Sequence, residues 1–198
     1  MWVRKIEQDV AVIEVRPGGR RRIDRVLDPG YVRGLEELSL DQLRERRNEA
    51  AQEETDLSYL RRLLHARIDI VRAEQDRRST GGELSVVDRL AAILSDNALR
   101  PARGLGRHQP LEPSRTGQHR RQAEALVGNA DLSDVSSLSD EKLEATLGDY
   151  AEEETSVSAR RREVQAVVDQ LNAEIAARYA RGSASVDDLL AAERARED

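Results

Sequence analysis

The sequence predicts an all-α protein built on an antiparallel two-helix coiled-coil hairpin that arises from an internal duplication. Three observations predict it. Charged residues make up 35% of the 198-residue chain and aromatic residues 3%, with no phenylalanine, which is too little bulky apolar material for a deep globular core and is the composition of long helices. Two proline-free stretches, Ser39 to Arg78 and Ser139 to Arg181, carry apolar residues at helical spacing along one narrow seam. The second stretch repeats the first one hundred residues on, with Leu38, Ser39, Leu43, Glu53, Glu54, Ser58, Arg61, Asp69, Glu74 and Arg78 among the residues that recur.

Residues 1–34 form an N-terminal arm that reads in two ways. DVAVIEV and RRRIDRVLDPG, on either side of Pro17-Gly18-Gly19, have the form of a small β-hairpin, two short strands around a turn; residues 3–14 alone also suit a helix. The first repeat, 35–99, opens with a long helix. Ser39 and Gln42 have the form of a capping box at its start, and Ser79-Thr80-Gly81-Gly82 ends it. Measured from Glu54, the residues Leu57, Leu60, Leu64, Ile68 and Val71 fall between about 240° and 320°, a seam suited to one partner helix. A short accessory helix capped by Ser85 follows, carrying Val86, Val87, Leu90, Ile93 and Leu94.

Residues 100–130 break the pattern, with Pro101, Gly104, Gly106, Pro110, Pro113 and Gly117 set among arginines, and read as a flexible basic linker. The second repeat, 131–198, has its long helix from near Ser139 to Arg181, ahead of Gly182. Its seam is Val157, Val164, Val168, Leu171 and Ile175, although Leu60 has become Arg160. A second short helix is expected in SVDDLLAA at 185–192, which matches SVVDRLAA at 85–92.

A formal net charge of −6 speaks against direct DNA binding, which a clustered positive surface usually carries. The absence of cysteine fits a reducing compartment. No apolar run approaches the roughly 20 residues that cross a bilayer, and the N-terminus is too charged for a signal-peptide core. A soluble, cytoplasmic protein is expected. His65, His108 and His119 make no metal-ligand spacing, and no glycine-rich phosphate loop is present, so neither a metal site nor an enzyme is expected.

The candidate site is a polar stripe. Glu154, Ser158, Arg161, Gln165 and Asp169 step by four, three, four and four, which keeps them on one helix face about 80° wide and about 22 Å long. Glu54, Ser58, Arg61, His65 and Asp69 repeat the stripe in the first copy, with His65 in place of glutamine. The stripes border the apolar seams, so pairing the helices brings them near one another with approximate two-fold symmetry. A ligand for such a site is itself nearly two-fold symmetric, anionic and rich in hydrogen-bonding edges. Arginine grips phosphate or the O6 and N7 edge of guanine, while carboxylates accept from guanine's N1 and N2. The same spacing also describes a solvated salt-bridge ladder, and a coiled-coil scaffold or adaptor without a nucleotide is the alternative reading.

The pattern Glu-x3-Ser-x2-Arg-x3-Gln-x3-Asp, met in full at Glu154 to Asp169 and with His65 as the departure at Glu54 to Asp69, closely resembles the signature of the RsiG family of anti-sigma factors, in its single-chain form with two motif copies. The resemblance covers the two long helices; residues 1–34 and the linker have no matching motif. It implies that cyclic di-GMP binds between the motif helices as an intercalated pair. It further implies that the loaded protein, one chain per complex, holds a sigma factor of the WhiG type away from RNA polymerase and restrains late sporulation genes.

Overall fold

The computed structural model describes residues 13–81, 112–115, 117–118 and 132–182. Among them lie a short helix α1 (Arg22–Val26) and two long helices, α2 (Leu40–Thr80) and α3 (Asp140–Ala180), of 41 residues each. A 3-10 turn precedes each long helix, at Leu35–Glu37 and at Leu132–Ser137. The short helices expected at 85–94 and 185–192 lie outside the described residues, as does most of 100–130.

The ends of the long helices follow from their local chemistry. The Gln42 amide donates to Ser39 Oγ at 3.2 Å, and the Ser39 amide donates to Gln42 Oε1 at 2.8 Å, closing the expected capping box. At the start of α3 the Lys142 amide donates to Ser139 Oγ at 3.3 Å, and no reciprocal carboxamide follows because the third helical residue is a lysine. Gly81 and Gly182, with φ of 62° and 68°, take the left-handed conformation that stops each helix and that a side chain would oppose.

The N-terminal β-hairpin is not supported. No strand occurs among the described residues, and the stretch expected to form the second strand is α1 instead. Ile23 and Val26, 3% and 0% exposed, are three residues apart; a helix puts both on one face, whereas a strand would send them to opposite faces. Asp24 locks the turn before them by accepting from the amides of Arg16 (2.9 Å) and Arg21 (3.3 Å) and from the Arg21 guanidinium (2.6 Å). These contacts hold its carboxyl far below the usual range, hydrogen bonding to Arg21 outweighing burial. The turn needs its glycines: Gly18 has φ of 68°, and a Cβ on Gly19 would stand 2.3 Å from Asp24 Oδ2. Residues 1–12, which hold most of the alternative helix, lie outside the described set.

Both long helices carry a strict heptad. Leu43, Ala50, Leu57, Leu64 and Val71 on α2, and Leu143, Tyr150, Val157, Val164 and Leu171 on α3, are none of them more than 2% exposed. Spacing of seven is the coiled-coil period. The row three residues on is unusual, because it reads Arg46, Glu53, Leu60, Arg67, Glu74 on α2 and Thr146, Glu153, Arg160, Val167, Glu174 on α3. Glu53, Glu74, Thr146 and Glu153 in it are buried. One row of the seam supplies hydrophobic contact; the other supplies anchors.

The chain divides into two compact units, one of Met1–Glu14 and Thr55–Arg161, the other of Val15–Glu54 and Arg162–Asp198. In the first, Arg61 meets Glu154, Arg67 meets Tyr150 and Arg78 meets Asp140, so partners on α3 fall as residue numbers on α2 rise and the segments are antiparallel. In the second, Arg44 meets Tyr179 and Arg178 meets Leu38, so the start of α2 and the turn before it lie beside the end of α3.

Anchors from the polar row work within each unit. Arg160 Nε donates to the carbonyl of Ile13 at 3.0 Å in the first unit. In the second, Arg22 lies 3.6 Å from the buried Glu53 carboxylate. There Arg46 lies 5.4 Å from the centre of the Tyr31 ring and donates to the Tyr31 carbonyl.

Candidate ligand-binding site

In the first unit the motif residues of both copies come together. Glu154 Oε1 accepts from Ser158 Oγ at 2.7 Å, one turn on along α3, and from Arg61 Nε of α2 at 2.9 Å. Arg61 Nε also donates to Ser158 Oγ at 2.9 Å. His65 Nε2, one turn beyond Arg61, lies 3.1 Å from the same carboxylate oxygen but out of hydrogen-bond alignment. Residues more than ninety positions apart in the chain thus share one oxygen. Helical spacing explains it, since Arg61 and His65 project from one face of α2 as Glu154 and Ser158 do from α3.

The cluster is poised rather than locked. Burial alone would raise the Glu154 carboxyl; Ser158 and Arg61 hydrogen bonds and the Arg61 charge, joined by that of His65 whenever it is protonated, outweigh it, so Glu154 sits below its ordinary range and stays anionic. The Arg61 side chain is 40% exposed and the Glu154 side chain 18%, so the guanidinium is open to another acceptor while the carboxylate is the shielded member of the pair. Donors and acceptors stand within about 3 Å of each other, which suits an edge that, like guanine's, presents both kinds of group side by side.

Of the other expected site residues, Ser58, Asp69 and Arg161 belong to the same unit and are partly buried. Glu54, Gln165 and Asp169 belong to the second unit, Glu54 partly buried and the other two exposed on α3. Among the described residues no group of three or more His, Cys, Asp or Glu side chains is arranged to hold a metal ion. No described helix is long and apolar enough to cross a membrane.

Sequence reasoning did not single out two further sets of residues. Arg78, held by Glu74 at 2.7 Å, reaches Asp140 at 2.6 Å and the Ser136 carbonyl at 3.1 Å, joining the end of α2 to the turn before α3. Arg178, held by Glu174 at 3.0 Å, likewise reaches the Leu35 carbonyl at 2.7 Å and the Leu38 carbonyl at 2.5 Å, joining the end of α3 to the turn before α2. All four residues recur between the repeats, and counting by sevens separates Glu74 and Glu174 from the ligand stripe. The second set is Asp56, fully buried, which accepts from the Ser114 amide and hydroxyl at 2.6 Å each and lies 3.7 Å from Arg115. A lone buried aspartate, replaced by Ser156 in the second copy, signals such a contact only once its burial is known.

Fold and cluster together define a tandem-repeat protein of paired helices carrying a hydrogen-bonded polar motif. The sequence profile of the RsiG-like family matches residues 29–94 and 129–194, two thirds of the chain and one match for each repeat. The chain belongs to the RsiG-like family. Comparison with curated proteins gives no match.

Proposed function

We propose that this protein is an anti-sigma factor whose hold on a WhiG-type sigma factor depends on cyclic di-GMP bound at the two motif stretches, and that it thereby restrains late sporulation genes. Family membership supports the sigma-factor partner in general. The observation that carries the nucleotide reading is the cluster of Arg61, Glu154 and Ser158, where the two motif copies meet with matched donors and acceptors. Residues assigned to the ligand are Glu54, Ser58, Arg61, His65 and Asp69 with Glu154, Ser158, Arg161, Gln165 and Asp169. Their role is to recognise and hold; no catalytic step is assigned to them.

Ligand and sigma factor are thermodynamically linked in this reading, each raising the other's affinity by one common factor. Calorimetry with cyclic di-GMP, with and without the sigma factor, measures that factor, and equal affinities in the two titrations would refute the coupling. Arg161→Ala and Asp169→Ala should abolish nucleotide-dependent sigma binding while leaving the far-ultraviolet circular dichroism unchanged. The scaffold reading draws support from the same cluster, since the motif charges already satisfy one another without a ligand. Absence of nucleotide binding at micromolar concentration would decide for the scaffold.

A further inference from the structure

One position breaks the equivalence of the two motif copies: the first has His65 where the second has Gln165. His65 Nε2 is screened from solvent and lies 3.1 Å from Glu154 Oε1. That oxygen already accepts from Ser158 and Arg61, so Arg61, the group best suited to an anion or a guanine edge, is engaged by Glu154. Turning Arg61 toward a ligand leaves a carboxylate only 18% exposed without its cation, and a shielded charge that loses its partner is costly. A glutamine here offers Glu154 a neutral hydrogen bond. An imidazolium offers a charge, and histidine is the side chain that gains one near neutral pH.

The charged groups around His65 sharpen the point. On α2 they are Arg61 and Arg62, one turn before it, and Asp69, one turn after; on α3 the group beside it is Glu154.

Building on the nucleotide reading above, we propose that His65 is a positioning residue that takes Glu154 over from Arg61. Protonated, it pairs with the carboxylate and frees the Arg61 guanidinium for the anionic dinucleotide, and the proton comes from solvent as the ligand binds. Binding is therefore coupled to proton uptake and tightens as pH falls.

The test is calorimetric titration of the full chain with cyclic di-GMP at pH 5.5, 6.5 and 8.0, in buffers of differing ionisation enthalpy. The wild type should bind about three- to tenfold more tightly at pH 5.5 than at pH 8.0, with a buffer-dependent heat that reports proton uptake. His65→Gln, which copies the second repeat, should bind with pH-independent affinity and buffer-independent heat. Wild-type affinity that stays level or weakens toward acid, or a His65→Gln variant that keeps the pH dependence, overturns the proposal while leaving the nucleotide reading intact. No binding at any pH overturns both.

Discussion

Glu74 shows how a charge is kept inside a helical seam. Its side chain is shielded from solvent, and its carboxylate accepts from Arg77 Nε and Nη2 at 2.8 Å each and from Arg78 Nε at 2.7 Å. Hydrogen bonding to Arg77 is the largest effect; burial opposes it, Arg78 adds to it, and the carboxyl is pulled from 4.5 down to about 2. A carboxyl whose folded value lies below its unfolded one stabilises the fold only while ionised. That contribution is complete above pH 4.5 and is lost as pH falls toward 2. Thermal denaturation should therefore show a melting temperature that drops across this interval. Glu74→Gln should melt lower than wild type at pH 7 and converge with it only as pH falls through about 2. A constant difference between the two across the interval would contradict the assignment.

At the level of elements, the long helices owe their ends to capping and their pairing to the heptad, but their alignment to the arginine staples. Arg78 and Arg178 each fasten the last turns of one long helix to the turn that opens the other. Arg78→Ala and Arg178→Ala should each lower the melting temperature by about 2–4 °C. The double variant should show the sum, because the two staples share no partner; a double variant no worse than either single one would show that the staples are redundant.

Much of this scale was legible beforehand. Ser39 with Gln42, the glycines at 81 and 182, and the periodic leucines and valines act through neighbours in sequence, so the helix limits and most of the seam could be read directly, although Val168 and Ile175, expected on it, are only partly buried. The motif residues Arg61, Glu154 and Ser158 could be placed on adjoining stripes for the same reason. What could not be read depends on distant partners: RRRIDRVLDPG has strand-like composition until Ile23 and Val26 find a common buried face, and nothing local announces that Asp56 will meet Ser114. The charged row of the heptad was hidden because a search for apolar periodicity passes over Glu53, Glu74 and Glu153.

Across the whole molecule, neither compact unit is one repeat. The first joins the later part of α2 to the earlier part of α3, and the second joins the earlier part of α2 to the later part of α3. Each repeat therefore supplies one side of both units, and the boundary between repeats is not a boundary between folding units. Residues 1–99 and 100–198, produced separately, should each lack the partner for their buried heptad. Mixing them should raise the helical signal at 222 nm above the sum of the separate spectra and yield a one-to-one complex on gel filtration. Two halves that are fully helical monomers before mixing would contradict this.

The non-equivalence of His65 and Gln165 has a counterpart in Asp56 and Ser156 and in Leu60 and Arg160. Two identical chains would have to accept every substitution in duplicate, at both halves of whatever they bind. Here a single base change alters one half and leaves its twin as a reference copy. One half can take up a proton-sensitive residue or a contact to the connecting segment while the other keeps the unmodified pattern, so tolerance to mutation is shared unevenly along a chain whose backbone is nearly repeated.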